Sequence, residues 1–536
     1  MAKQILFDSD GRQKLTAGMQ TLAKAVSSTL GPSGKNVVID KSFAGPVSTK
    51  DGISVSKEIE LPDPFENMGA KILNEVASKT NDNVGDGTTT AIVLASSMIE
   101  EGRKFVASGV QAQSIRRGMD LAAEAVEDVV LGLAKKVEGY DQIRHVAYIS
   151  SNSDNQIADL LAEAMESVTN DGVITIEENK GTETYLEVVK GLQFDKGFCS
   201  PYFITDPANL NTEYEDACIL FFEKKITAVH ELVPLLEKVA PTGKPLVIVA
   251  ENVEAEALAA LVINKLQGVL QVVAVKSPGF GDRRKSLMED MAILTGGVFI
   301  SEDIGVGLDQ VELEHLGSAK KVVVDKEKTI IIDGAGKQKA IDERLNQINI
   351  QMEQTTSTYD KEKFTERKAK LGGGIAVLYI GGHTELEMKE RKDRATDALH
   401  STRAAAESGV IPGGGTVFVR AIKALGKVKA KGDEAFGVKV VAAALEAPLR
   451  KIAENAGYDP GDVLVEVSEL KGAKGFNALS GEYSNLVKDG VIDPTDVVLT
   501  ALRNAVSIAG LNLTTCLLYT SPSPRDLSTS RMPSSA

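Results

Sequence analysis

The residues best equipped for chemistry fall within one nonapeptide, Asn83-Val-Gly-Asp-Gly-Thr-Thr-Thr-Ala91. From Gly85 to Thr90 it sets two glycines, one carboxylate and three hydroxyls. Glycines let a backbone come close to a ligand, and the first turn of a helix offers N–H groups that no carbonyl takes. The threonines add hydroxyl donors, and the Asp86 carboxylate suits a divalent cation. Together these groups make a phosphate site, although the lysine of the usual P-loop is missing. A plainer reading stays open at this point: a side-chain cap on an ordinary helix.

The elements that must hold this loop can be read from periodicity. Leu15, Met19, Leu22, Ala23 and Val26 recur at helical steps within 12–30, and Gly31-Pro32 stops that helix. Residues 36–40 and 47–55 predict short strands, with Asp51-Gly52 as a turn. Phe65, Met68, Ile72 and Val76 stripe a helix that runs into the nonapeptide, and a second, more apolar helix leaves it at Thr88 and ends near Ser108. Two further helical runs reach about residue 135, and short β-like runs mark 145–190, among them 172–176 and 185–189. Strand 245–250, helix 252–267 and strand 269–275 form a βαβ unit, which calls for a parallel pair. Residues 340–370 are charged with helical spacing, Gly372-Gly373-Gly374 leads into strand 375–380, and 384–511 is again mostly helical. The expectation is a multidomain α+β and α/β fold, with a helical block made by both chain ends around an α/β insertion.

A chain of 536 residues is too long for one core, so two to four domains are expected. Its hydrophobic share of 43% and charged share of 25% are those of a globular protein. A net charge of −15 argues against general binding of nucleic acid or anionic membrane. The cysteines, Cys199, Cys218 and Cys516, show no CxxC spacing, so neither a disulfide framework nor a zinc knuckle is expected. The nearest approach to HExxH, His230-Glu231-Leu-Val-Pro234, has proline at the second ligand position. The first ten residues carry no apolar signal core and no run reaches 18 apolar residues, which predicts a cytoplasmic protein. Tryptophan is absent and aromatics total 5%, so an apolar contact surface must rely on aliphatic side chains.

The nonapeptide has companions: Leu30-Gly31-Pro32, Thr49-Lys50-Asp51-Gly52, Pro201-Tyr202-Phe203, Pro278-Gly-Phe-Gly-Asp-Arg-Arg284, Asp397-Ala-Leu-His-Ser-Thr-Arg403, Gly413-Gly414-Gly415, Asn477-Ala478 and Asp493-Pro494-Thr495. Each is weak alone. In register from residue 2 to about 516, they make the chain resemble the group I chaperonins, the GroEL type. The resemblance implies an equatorial ATPase domain (1–132 and 408–516), an intermediate hinge domain (133–189 and 376–407) and an apical polypeptide-binding domain (190–375). It also implies stacked seven-membered rings that capture unfolded polypeptides, hydrolyse ATP with Mg²⁺ and K⁺, and close with a lid co-chaperonin of the GroES type.

Residue by residue, the resemblance makes Asp86 a Mg²⁺ ligand and sets Gly87, Thr88, Thr89 and Thr90 around the phosphates. Thr29, Leu30, Gly31 and Pro32 would lie against phosphate and base; by themselves they read as a helix stop. Lys50 and Asp51 would stand on the phosphate side, with Asp51 acting through water or K⁺; by themselves they read as a turn. Gly413 and Gly414 match the ribose side, and Asn477, Ala478 and Asp493 the base and ribose, where Asp493-Pro494 reads equally as a helix cap. Asp397 would position the attacking water, although its charged neighbours favour a solvated helix face. Phe198, Tyr202, Phe203, Val233, Leu236, Leu258, Val262 and Ile263 would form an exposed apical patch for clients and lid, where helical spacing alone suggests core.

Two rival readings belong to other classes. A dinucleotide enzyme would use the βαβ unit, but GxGxxG is absent. A Mg²⁺-dependent, nucleotide-using phosphotransferase outside the chaperones would be built on Asp86 and Asp397. The Ser- and Pro-rich residues 517–536 resemble no part of the family and are expected to be disordered, leaving the family's last strand missing.

Overall fold

Leu15, Met19, Leu22 and Val26 line one face of the helix Asp8–Ser27, and each is essentially fully buried. The same logic repeats in Pro64–Val84, Thr88–Ala107, Ala112–Leu133, Thr416–Leu425, Glu434–Ala444 and Thr495–Thr514, whose apolar faces share one core. The computed structural model describes residues 5–519 apart from 41–45, 138, 169–172, 180, 208 and 356–357. The chain divides into two compact units, one made of 1–162, 178–184 and 380–536, the other of 163–177 and 185–379.

In the first unit, helices from the two ends of the chain interlock. A Cβ on Gly118 would sit 1.9 Å from the Glu434 carbonyl oxygen, and one on Gly437 would sit 2.1 Å from that of Ile115. Only glycine allows Ala112–Leu133 and Glu434–Ala444 to cross at this separation. The helix Thr495–Thr514 is apolar and long enough to span a membrane by length and composition, but most of it is buried against its neighbours here.

The second unit is built on a mixed sheet. Val272–Lys276, Leu246–Ala250 and Thr212–Phe222 run parallel, and Gly317–Val324, Thr329–Gly334 and Gly191–Phe194 continue it antiparallel. Leu246 pairs with Val272, so the βαβ unit forms with Ala255–Leu266 as its helix. Val173–Glu178, Ile375–Ile380 and Tyr185–Val189 make a separate three-stranded sheet.

Several expectations need correction. The strand expected over 47–55 ends at Thr49, and Gly52–Lys57 is a helix capped by Asp51. The two helical runs expected before residue 135 are one helix, Ala112–Leu133, with Gly118 inside it as a contact point. Residues 145–150 and 155–167 are helical, in Tyr140–Ser150 and Asn155–Ser167, because Val146 and Ala147, then Ile157, Ala158, Leu161 and Ala162, bury one helical face each. Nor does the chain lose order at 517. Leu517–Tyr519 pairs antiparallel with Ile5–Phe7, and Leu518 packs in a small cluster with Leu15 and Phe65. The Ser- and Pro-rich stretch begins only after these three residues, and 520–536 lie outside the described residues.

Candidate functional site

Gly85 ends one helix and Gly87 begins the next, and both take left-handed backbone angles, φ 67° and 79°. Asp86 is thereby turned out at a tight corner. Neither glycine tolerates a side chain: a Cβ on Gly85 would lie 2.0 Å from His400 Nδ1, and one on Gly87 2.7 Å from Val497 Cγ1. No side chain caps the helix Thr88–Ala107. The plain capping reading of the nonapeptide therefore fails, and the first amides of that helix remain for another acceptor.

Two adjoining cavities meet at this corner, both within the first unit. The smaller, about 120 Å³, is lined by Thr29, Leu30, Gly31, Lys50, Asp51, Asp86, Gly87, Thr88, Thr89, Thr90 and Asp397. The larger, about 420 Å³, is lined by Leu30, Gly31, Pro32, Asp86, Gly87, Thr90, Gly414, Asn477, Ala478 and Asp493. Gly413 stands behind Asp493, where an added Cβ would fall 2.9 Å from Asp493 Oδ1. The sequence-expected residues thus converge from segments more than 400 residues apart, as the bonds from Asn455 Nδ2 to the Ser27 and Leu30 carbonyls (2.9 Å each, separations 428 and 425) illustrate.

The acids are distinct in their surroundings. Asp51 accepts from the Ile53 and Ser54 amides (3.2 and 2.9 Å) and from Ser54 Oγ (2.6 Å), so it caps a helix as well as lining the cavity. Asp86 accepts from the Gly87 amide at Oδ1 (2.5 Å) and from Ser150 Oγ (2.9 Å) and Ser401 Oγ (2.5 Å) at Oδ2. Asp397 keeps some surface open to the small cavity, yet the walls crowd it; burial first, then the charges of Asp51, Asp86 and Asp393, hold its carboxyl well above the usual range. Asp493 is pushed up to about 7 by burial and by Asp86. It caps nothing: the N-cap of Thr495–Thr514 is Pro494, so the carboxylate remains with the cavity. Asp397 is likewise no solvated surface charge.

Acidic groups that raise one another's proton affinity call for a cation, which would relieve that repulsion. Among the described residues, no group of three or more His, Cys, Asp or Glu side chains is placed to hold a metal alone. Such a sparse donor set suits Mg²⁺, which takes one or two carboxylates and completes its shell from phosphate oxygens and water. Lys50 and the uncapped first amides of the helix that begins at Thr88 supply the remaining positive field.

Sequence reasoning missed the contribution of 148–153. Tyr148, Ile149, Ser150, Asn152 and Ser153 line the larger cavity, and Asn152 and Ser153 hold left-handed angles (φ 57° and 67°). Side-chain residues rarely adopt that conformation. The run Ser150-Ser151-Asn152-Ser153 after an amphipathic helix was the available signal. Asp393, exposed on the same helix as Asp397, lines neither cavity and enters only through the charge it adds near Asp397.

The expected client patch, in the second unit, is only partly a surface. Tyr202, Val233 and Ile263 are exposed, and Phe198, Leu258 and Val262 are half-buried against the core. Phe203 and Leu236 are core residues and leave the patch. Phe203 follows Tyr202 in a three-residue 3₁₀ turn, whose adjacent side chains diverge by a third of a turn. Leu236 shares the buried face of Val233–Val239 with Leu235 and Val239, while Val233, one turn earlier at the first position of the helix, stays exposed.

A family model described as the TCP-1/cpn60 chaperonin family matches residues 22–515, a span that includes every residue of the two cavities.

Proposed function

The chain belongs to the TCP-1/cpn60 chaperonin family, with the chaperone function, binding of unfolded clients and ring assembly that membership carries; from this premise we propose that it is a group I chaperonin whose work is driven by ATP hydrolysis at the paired cavities. The observation that carries the reading is the convergence of the Gly85–Thr90 corner, Asp51, Asp397, Asn477 and Asp493 on one nucleotide-sized space. In this reading the larger cavity receives base and ribose, between Pro32, Gly414, Asn477, Ala478 and Asp493. The smaller receives the phosphates, against Thr29 to Gly31, Lys50, the backbone of Gly87 and the amides and hydroxyls of Thr88 to Thr90.

Asp86 would hold Mg²⁺ together with phosphate oxygens, and the ion would offset the charge that develops in phosphoryl transfer. K⁺ would belong beside Asp51. Asp397 orients the attacking water and accepts its proton, a task suited to a carboxyl whose proton affinity its surroundings have raised. The first unit would comprise the equatorial domain (1–132 and 408–516) and much of the intermediate domain (133–189 and 376–407). The second would correspond to the apical domain (190–375), presenting Tyr202, Val233 and Ile263 to clients and to a lid of the GroES type.

The test joins turnover to assembly. Purified protein should hydrolyse ATP in a Mg²⁺-dependent way, respond to added unfolded protein, and appear in electron micrographs as stacked seven-membered rings of about 800 kDa. Turnover by a monomer, indifferent to unfolded protein, would overturn the reading.

A further inference from the structure

Hydroxyl side chains inside helices ordinarily donate back to a carbonyl one turn earlier. On the helix Glu385–Ser408, Thr396, Thr402 and Ser408 do so, to Lys392, Leu399 and Ala404. Ser401 does not. It is fully buried, and its hydroxyl donates to Asp86 Oδ2 at 2.5 Å. The same contrast appears on the other side of Asp86: Ser151 donates to the Tyr148 and Asp154 carbonyls, while Ser150 donates to Asp86 Oδ2 at 2.9 Å.

A carboxylate has about four acceptor sites. On Asp86 the two serines occupy Oδ2, and the Gly87 amide takes one site of Oδ1 at 2.5 Å. One acceptor site, on Oδ1, stays available. We infer that Ser401 and Ser150 are positioning residues for the cation site: they fix the Asp86 rotamer so that a single oxygen is presented to the metal. The inference rests on the Mg²⁺–nucleotide reading above. Ser401 lines neither cavity and acts only through Asp86; Ser150 borders both, and its hydroxyl serves this role through its bond to Asp86. Two donors on one oxygen also remove the freedom to chelate through both oxygens, which leaves room in a small ion's shell for phosphate.

The test uses the full chain with ADP and Mn²⁺, reading free Mn²⁺ by electron paramagnetic resonance, alongside ADP affinity in the presence of EDTA. Ser401→Ala suits a helix interior, and Ser150→Ala, at the half-exposed end of another helix, is the independent second variant. Each should weaken Mn²⁺ binding on the order of tenfold, the usual scale for removing a group that orients a metal ligand. Metal-free ADP affinity should not move in Ser401→Ala, which lines neither cavity; in Ser150→Ala, which borders both, the loss of Mn²⁺ binding should exceed any loss of metal-free ADP binding. Mn²⁺ binding at parental strength or tighter in both variants, with Asp86→Ala losing it, overturns the inference alone. Equal loss of Mn²⁺ and metal-free ADP binding also overturns it, since that is a structural effect. Parental Mn²⁺ binding by Asp86→Ala overturns the metal reading, and the inference falls with it.

Discussion

Tyr202 and Phe203 are consecutive residues of one 3₁₀ turn, yet their surroundings differ completely: the first is 66% exposed, the second 0%. Substitutions at the two positions should therefore fail differently. Tyr202→Glu should weaken capture of unfolded protein by at least about tenfold, because a carboxylate on the contact surface must be desolvated without a partner. Its melting temperature and basal ATP turnover should stay near parental. Phe203→Ala opens a core cavity and should destabilise the unit by about 3–5 kcal/mol. Capture assays paired with thermal melts check both, and a Tyr202→Glu variant that melts early would return Tyr202 to the core.

The two cavity acids should separate binding from chemistry. Asp86→Ala should impair nucleotide binding and hydrolysis together. Asp397→Ala should bind ATP nearly as before and turn over about 10²–10⁴-fold more slowly. ATP affinity measured beside single-turnover hydrolysis decides this. Hydrolysis at the parental rate by Asp397→Ala would remove it from the mechanism.

Asp493 gives the nucleotide-free protein a pH-dependent stability of known sign. Its carboxyl is raised from the ordinary 3.8 to about 7, by burial and by Asp86, so between those values the folded chain holds a proton that the unfolded chain has lost. Stability contributed by that proton is present below about 4 and fades as pH rises through 7. Asp493→Asn, neutral throughout, should melt like the parent at pH 4 and above it at pH 8. Melting profiles across that range check the prediction; a constant offset between the two proteins would mean that Asp493 titrates normally.

Leu518 should matter although it lies past the family match. It is 6% exposed and closes a cluster with Leu15 and Phe65. Leu518→Ala should cost about 2 kcal/mol, at the low end for buried leucine because the cluster is small. Hydrogen exchange at residues 5–7, its strand partners, should accelerate. Unchanged exchange there would mean that the pairing contributes nothing in solution.

Long periodic elements were legible in the sequence because burial enforces their period. Thr88–Ala107 and Ile375–Ile380 were readable almost to the residue. The helix Gly52–Lys57 was not, since Asp51-Gly52 is as good a turn as a cap, and only the bonds from Ile53 and Ser54 decide between them. At the site, the Gly85–Thr90 corner announced itself through its glycines. Ser401 could not, because a serine inside a charged helix gains its meaning from Asp86, 315 residues away. The client patch was half readable for a similar reason: spacing identifies an apolar residue, but the packing of its neighbours decides which way it faces.

The crossing of Ala112–Leu133 with Glu434–Ala444 sets a timetable for synthesis. Arg117 and its partner Glu434 are 317 residues apart, on the order of half a minute of translation at about ten residues per second. Through that interval the apolar faces of the earlier helices have no later helix to cover them, while the sheet of the second unit, whose strands fall between 191 and 334, can close as it is made. The first unit is completed last, by its carboxyl-terminal helices. A ribosome stalled once residue 380 has cleared the exit tunnel should accordingly carry a protease-resistant second unit and a digestible amino-terminal arm, so this chain spends its own early life exposing surfaces of the kind a folding helper recognises.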